Sequence, residues 1–435
     1  MSLRVLHGKK ETPLSRKLSK PSLVFSVLSG YSVVKNMKNK LFLLFTLLLI
    51  LAIAAFVIWG VPYFFSPIER VQTEAGFGSG TVRAEVTQII EEGEITLGDN
   101  PPQLYQILRV KPLEGKYEGI ELEIDNGTRQ VRYDDIHLAP GDELLIAVTL
   151  APDGTLNAYF VDYVRSHLLL LLVGIFVVAI LAMAGRKGLG ALLGLAFSLL
   201  VVISYIIPHI LDGEDPVRVS IIGAAILLSV TLYLTYGWTM KTHAAVLSMV
   251  ISLIITGTLA WIFVSATKLT GSGDENALFL VQMANSSINL RGLLLGGIII
   301  GALGVLDDLV ITQASAIFEI HDANPDLGLR ALYQRATNIG QDHVAATVNT
   351  LVMAYAGTAL PMLLVFSMSK GNFSYLINFS FVAEEVVRTL VGSLGLIAAV
   401  PITTIIAAYF AMNDEKFGAL RPFLGERNSR GGHHH

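Results

Sequence analysis

The chain has 435 residues, of which 53% are hydrophobic and only 15% are charged, a balance that excludes a set of ordinary soluble domains. It contains no cysteine, so disulfides, thiolate catalysis and Cys-ligated metal centres are excluded. The formal net charge of −4 averages unlike regions, because apolar runs of about 20 residues alternate with charged turns. This pattern predicts an integral membrane protein.

Residues 1–40 are rich in Lys and Arg, with Glu11 as their single acid. A nucleic-acid-binding arm is one interpretation, but a basic flank before an apolar run is more typical of a topology signal, so no nucleic-acid partner is expected. We predict a basic cytoplasmic leader at 1–40 and a first transmembrane helix at 41–65, which is too long for the apolar core of a cleaved signal peptide. The tail 412–435 is expected in the cytoplasm, and its terminal Gly-Gly-His-His-His looks like part of an expression tag.

Residues 66–163 are predicted to form a β domain outside the cytoplasm. Short stretches of alternating polarity are separated by Pro-, Gly- and Asp-rich turn signals, as at Pro140-Gly141-Asp142. About five short strands in fewer than 100 residues favour a small OB-like barrel, with a generic β-sandwich as the alternative. This domain is the expected contact for any envelope protein partner.

The region 166–411 is predicted to form a bundle of seven transmembrane helices, which makes eight with the first. The apolar runs place these helices at 168–185, 188–208, 219–236, 243–265, 291–314, 344–367 and 386–411. The basic turns fall on the side of the N-terminus and the acidic turns fall on the side of the β domain. Both termini are therefore expected in the cytoplasm of a cell whose plasma membrane holds the chain. Stretches 277–289 and 374–385 are predicted to be surface helices or half-helices. The amphipathic stretch 327–339 is predicted to lie on the membrane surface or under the bundle.

The sixth predicted span carries a polar stripe. At helical spacing seven residues share one face of this span: Gly297, Gly301, Gly304, Asp308, Thr312, Ser315 and Glu319. Asp307 lies about 100° around the helix from Asp308. The glycines permit close helix approach, whereas a carboxylate in hydrocarbon costs about 2.5 kcal/mol or more unless it is paired or wetted.

The seventh predicted span has a complementary small and hydrogen-bonding face. Its candidate pathway residues are His343, Thr347, Asn349 and Thr350, and Gly357 joins the glycines of the sixth span as a candidate packing position. Ordinary helix packing would also produce such stripes, and Glu319 and His343 could simply lie at the aqueous interface. The sequence contains no phosphate loop, HExxH motif or nucleophile elbow, so neither an enzyme, a cofactor nor a metal site is predicted.

Two stretches resemble a known family. The run from Gly301 to Ile320 and the run from Gly340 to Gly357 resemble the two signature spans of the YibE/YibF membrane proteins, over roughly 66–411. That resemblance implies a multi-pass prokaryotic membrane protein and no established reaction. The layout of anchor, outer domain and bundle is also similar, more weakly, to SecF and the RND-type transporters, in which an intramembrane acid is linked to proton movement.

The leading hypothesis is a proton- or ion-coupled transporter or translocation aid, with Asp308 as the titrating group. The rival hypothesis is a non-transporting assembly or signalling platform, in which the β domain binds a partner and the bundle anchors it. An intramembrane enzyme is a third hypothesis, and it would need a buried metal or nucleophile. The substrate, the coupling ion and the oligomeric state are left open by the sequence.

Overall fold

The computed structural model describes residues 81–129, 131, 137–150, 155–283, 288–368, 373–413, 417 and 424. All of them belong to one compact unit, Pro62–His435. The predicted leader 1–40, the predicted first span 41–65 and most of the tail 412–435 lie outside the described residues.

The β domain is a five-stranded closed barrel, as the barrel interpretation predicted. Its strands are β1 (Thr81–Ile95), β2 (Gln103–Pro112), β3 (Leu122–Asn126), β4 (Glu143–Leu150) and β5 (Leu156–Tyr163). They follow the order β1-β2-β3-β5-β4, and β4 closes the barrel against β1 with Ala84 opposite Leu144. All pairs are antiparallel except β3 and β5.

Alternation along the strands fills the barrel interior. Leu108, Val110, Ile124 and Ile146 are fully buried, while their neighbours in sequence are more exposed. One polar side chain is buried with them. The side-chain amide of Gln106 donates to the carbonyl of Leu138 at 3.0 Å and accepts from its N–H at 2.9 Å, which fixes the segment before β4 to β2.

Ten helices are described after the barrel. They are α1 (Ser166–Gly185), α2 (Lys187–Leu211), α3 (Pro216–Tyr236), α4 (Met240–Ala266), α5 (Glu275–Met283), α6 (Leu290–Ala323), α7 (Leu329–Thr358), α8 (Leu360–Met368), α9 (Phe373–Leu376) and α10 (Ser380–Met412). Six of them are long and apolar enough to cross a membrane, and α7 with α8 makes a seventh if the bent pair is one span. The described bundle thus agrees with a multi-pass membrane protein.

Local sequence explains where the long helices begin. Asp215, Thr239 and Asn289 stand at the N-caps of α3, α4 and α6, and each side chain accepts a hydrogen bond from the backbone N–H three residues on. Gly237 ends α3 with φ of 78°, a conformation that glycine adopts without the Cβ clash. These residues fix where α3, α4 and α6 begin and where α3 ends.

The seventh span departs from the prediction of one straight helix at 344–367. Helix α7 begins much earlier, at Leu329, so the stretch 327–339 is not a separate surface helix but runs directly into the span. The helix stops at Thr358 and the chain bends by 65° into α8. The proline ring of Pro361 lacks an N–H and clashes with the carbonyl four residues before it, which explains the break at this point. The other two predicted short helices are α5 and, for 374–385, α9 together with the first turn of α10.

The core of the bundle surrounds α6. This helix packs against α3, α4, α7 and α10, and its inner face buries Leu306, Leu309, Ile317 and Phe318 almost completely. Helices α4 and α10 approach closely, because a Cβ on Gly395 would overlap the side chain of Thr256. One face of α6 is therefore packed against its neighbours.

Candidate functional site

The exposed face of α6 is the polar stripe that the sequence predicts. Gly297, Gly301, Gly304, Asp308, Thr312 and Glu319 are exposed, and Ser315 is half-buried. None of the large exposed apolar side chains of the described residues belongs to α6. Asp308 is the most prominent group on this face, with its side chain 78% exposed.

Helix α7 meets this stripe at two levels. Nε2 of His343 lies 3.9 Å from Oδ2 of Asp308, near enough to interact as an ion pair when the imidazole is protonated. Farther along, the hydroxyl of Tyr355 lies 3.7 Å from the place a Cβ would occupy on Gly301. The two predicted faces are therefore adjacent at the acid end and at the glycine end.

The remaining predicted residues of α7 lie on or near its open side. Thr347 is half-buried, whereas Asn349 and Thr350 are exposed. The Thr350 hydroxyl donates to the carbonyl of Ala346 at 3.0 Å, within its own helix. Only Leu332, Ala336 and Gly340 are fully buried on α7 as a whole, so most of its surface faces away from the bundle.

Asp307 occupies a different environment from Asp308. It lines a cavity of about 390 Å³ between α2, α3 and α6, together with the hydroxyl-bearing side chains of Ser198, Thr231, Thr235 and Tyr236. Its Oδ1 atom is buried and has no hydrogen-bond partner among the described residues. A buried carboxylate oxygen without a partner is costly, so this atom is suited to accept a hydrogen bond or contact a cation.

The cavity and the stripe are continuous at Gly304, which is exposed and also lines the cavity. Helix α6 thus forms the floor of a groove, with α2 and α3 on one side and α7 on the other. Asp307 points toward the first side and Asp308 toward the second. This arrangement places two carboxylates back to back on one turn of a membrane-length helix.

The close helix approaches within the chain are made by glycines that sequence reasoning missed. A Cβ on Gly296 would lie 3.1 Å from the carbonyl oxygen of Pro216, and one on Gly340 would lie 2.9 Å from Oε1 of Gln313. At Gly297, Gly304 and Gly357, predicted as packing positions, a Cβ would meet nothing within 4 Å. These three glycines therefore contact no neighbouring helix among the described residues. The sequence alone does not show which glycines face a neighbouring helix.

A second feature missed from the sequence is the junction at Gln313. This amide is 1% exposed, and its Nε2 donates to the carbonyl of Ala336 at 2.9 Å and to the hydroxyl of Thr404 at 2.8 Å. It therefore ties α6 to α7 and α10 five residues after Asp308. These hydrogen bonds hold the N-terminal part of α7 beside the polar stripe of α6.

Polar groups also close the end of the bundle where α10 begins. The Glu384 side chain is buried and accepts a hydrogen bond from the N–H of Gly273 at 3.1 Å. Glu385 and Arg388 form an ion pair at 2.8 Å on the same helix. The loop before α5 is thereby fastened to α10.

Among the residues that the structure describes, no three His, Asp or Glu side chains come together as a metal-binding group.

Comparison with protein families gives a match. The model of the family described as YibE/F-like protein matches residues 172–413. No curated protein and no solved structure matches the chain. The matched range contains most of α1, all of α2 to α10, and both acids of the α6 groove.

Proposed function

The chain belongs to the YibE/F-like family, and from that premise we propose that it is a proton- or ion-coupled membrane transporter or translocation aid. The single observation that carries this proposal is the pair Asp307 and Asp308 in the middle of α6, a helix that is long and apolar enough to span a membrane. Intramembrane acids are rare because of their cost, and they usually mark an ion or proton route.

The groove supports this reading with two kinds of environment. Asp308 stands beside His343 at 3.9 Å, so a carboxylate and an imidazole lie side by side in the groove. Asp307 lies on the cavity side with one unpartnered oxygen. Thr312, Ser315, Glu319, Thr347, Asn349 and Thr350 supply hydroxyl, amide and carboxylate groups along the two helices, and such groups can guide water and ions where hydrocarbon cannot.

The orientation belongs to the same proposal. We place the chain in the plasma membrane with both termini in the cytoplasm and the barrel outside. The supporting observation is the distribution of charge in the connecting segments. Lys187 and Lys241 lie at one end of the bundle, and Asp212, Asp215 and Asp274 lie in turns at the opposite ends of the same helices.

Flux measurements test the proposed function. The purified chain is reconstituted in proteoliposomes that enclose a pH-sensitive dye or an ion-sensitive dye. Flux is driven by a proton or ion gradient across the vesicle membrane. We expect Asp308→Asn and Asp307→Asn each to reduce flux strongly, whereas Asp322→Asn, an exposed acid at the end of the same helix, should leave it unchanged. Equal flux in all four proteins would refute the role of the acid pair.

The barrel favours a second candidate function, an assembly or signalling platform in the envelope. Leu150, Tyr159 and Val161 are exposed by 63%, 49% and 50% on β4 and β5. Large exposed apolar side chains on a small domain are candidates for a protein-binding surface. This function predicts that Tyr159→Ser abolishes partner capture while Asp308→Asn has no effect in the cell.

A further inference from the structure

We propose that the cavity between α2, α3 and α6, called here the Asp307 cavity, binds the ammonium group of a small organic amine. This assignment deepens the proposed function and rests on it for the role of the ligand, since such an amine would be the substrate class of the transporter. The binding itself does not require transport. Asp307 then holds the substrate, and Asp308 on the other side of α6 is left to the coupling proton or ion.

The first observation is that the carboxylate of Asp307 has no positive partner. Its Oδ1 atom is buried without a hydrogen-bond donor. None of the described residues that line the cavity is Lys, Arg or His. A carboxylate removed from water is strongly unfavourable unless a cation or a hydrogen-bond donor compensates it. A cation is therefore the ligand that this side chain lacks.

The second observation is that hydroxyl groups beside the acid are set to accept rather than to donate. The Ser198 hydroxyl donates to the carbonyl of Gly194 and the Thr231 hydroxyl donates to the carbonyl of Leu227, each at 2.9 Å and within its own helix. A hydroxyl has one hydrogen, so these two oxygens have only lone pairs left for a ligand. An ammonium group carries three N–H donors and one positive charge, which suits two acceptors and a single carboxylate.

The third observation is the size and the apolar wall of the cavity, which favour an organic amine over an inorganic cation. Its volume of about 390 Å³ is far larger than a single ion needs and lies within the roughly 300–1,000 Å³ of typical small-molecule sites. A short alkyl chain would cover apolar wall that an inorganic cation would leave wet. The large apolar side chains of this wall are Leu195, Val202, Leu227, Leu228, Ile300 and Leu303.

The wall that α2 contributes is irregular at the cavity. Residues Val202–Ile206 form a π-helical turn, in which the N–H of Ile207 bonds to the carbonyl of Val202 five residues back. Val202 also lines the cavity. Such turns inside α-helices occur frequently at functional sites. On the opposite wall Gly304 has no side chain, lines the cavity and is exposed, so it leaves a route by which a ligand can enter.

Equilibrium binding tests the proposal without transport. Thermal unfolding of the purified full chain in detergent is followed while butylammonium chloride is added, with sodium chloride and 1-butanol as matched additions. We expect butylammonium alone to raise the Tm, because a ligand that binds only the folded chain stabilises it. Asp307→Asn should weaken this binding by about a hundredfold, since it removes the charged partner. Asp322→Asn, an exposed acid at the end of the same helix, is the control and should bind as the parent does.

The hydroxyl of Thr231 allows a finer comparison. Thr231→Val keeps the shape of the side chain but removes the acceptor, and it should weaken butylammonium binding by about tenfold. Thr231→Ser keeps the hydroxyl and should retain most of the affinity. Equal affinities of the valine and serine variants would contradict the acceptor role of this group.

Cysteine labelling keeps the test independent of the folding of those variants, because the chain contains no cysteine of its own. Leu195→Cys places a thiol in the cavity wall, and Ile254→Cys places one on an exposed side of α4. Butylammonium should slow maleimide labelling of the first thiol and not of the second.

Four results would overturn the proposal: no rise in Tm with butylammonium, an equal rise with sodium chloride, an equal rise in Asp307→Asn, or labelling of Leu195→Cys at the same rate with and without butylammonium. Proton or ion flux in proteoliposomes separates this site from the proposed function. Flux without butylammonium binding would refute the site and leave transport standing. Butylammonium binding without any flux would support the site and refute transport.

Discussion

Helices α1 and α6 are both long and apolar enough to cross a membrane, yet they meet opposite surroundings. In the membrane-length window of α1 6% of the residues are buried, against 61% for α6. The large exposed side chains of α1 are leucine, isoleucine, valine, phenylalanine and methionine, whereas α6 has no large exposed apolar side chain and exposes mainly glycine and polar groups. Length and apolarity show that a helix can span a bilayer, but its exposed residues show what it contacts there.

Placing an acid on the exposed surface of α1, or an apolar residue on that of α6, tests this contrast. The acid on α1 should give the largest effect, on the free energy of membrane insertion. Leu172→Asp puts a carboxylate on the lipid-facing side of α1, and we expect a loss of about 2.5–3.5 kcal/mol in the free energy of membrane insertion. Asp308→Leu makes the reverse change and should leave insertion intact or improve it. A glycosylation-based insertion assay on the full chain measures both, and tolerance of Leu172→Asp together with failure of Asp308→Leu would contradict the comparison.

Alanine substitutions at the neighbouring residues Gly296 and Gly297 test the difference between the buried and the exposed face of α6 within a single turn. Gly296→Ala would place a methyl group against Ser220 and 3.1 Å from the carbonyl oxygen of Pro216, so overpacking should cost about 1–3 kcal/mol. Gly297→Ala meets nothing within 4 Å and should stabilise the helix by roughly 0.5–1 kcal/mol. Thermal unfolding of both variants in dilute detergent gives the comparison, and shifts of the same sign would refute it.

Removing the amide of Gln313 tests how the buried side of α6 keeps α7 beside the exposed side. Gln313→Ala removes the donor to the carbonyl of Ala336, and we expect a loss of about 1–3 kcal/mol from the unsatisfied group. Hydrogen exchange in α7 should accelerate more than in α4. Thr312→Ala, one residue away and exposed, is the control and should change neither quantity by as much.

The sequence predicted much of this architecture because its signals are local. Apolar runs and turn residues placed the barrel strands and six of the spans, and helical spacing placed Asp308 and Gly301 on one face. Three facts required the tertiary structure. Asp307 lies in a cavity formed with α2 and α3, Gly296 and Gly340 make close contacts within the chain, and α7 continues from Leu329 to a break before Pro361. Each depends on which neighbour a face meets, and spacing along one helix does not contain that information.

The smallest effect is expected for an exposed acid of the barrel, Glu114, whose contribution to folding stability can be compared with that of the acids on the helices. In the barrel, Arg83 donates to Glu114 at 3.0 Å, which lowers the pKa of that carboxyl below its usual value. Both side chains are nearly half exposed, so the pair should contribute less than about 1 kcal/mol. Because the folded-state pKa is lowered, this contribution is present above the ordinary pKa of glutamate and is lost as the pH falls through the lowered value.

Glu114→Gln should remove that contribution at neutral pH and flatten the acid dependence of exchange in β1 and β2. Hydrogen–deuterium exchange of the full chain, with variant and parent compared at each pH, measures the difference. Glu118→Gln, at an exposed position on the same domain, is the control. An effect of Glu114→Gln as large as that of Leu172→Asp would mean that exposure alone, and not the surrounding medium, determines the cost of a carboxylate. The contrast between α1 and α6 requires the opposite, because there the same chemical group is tolerated on one exposed surface and excluded from the other.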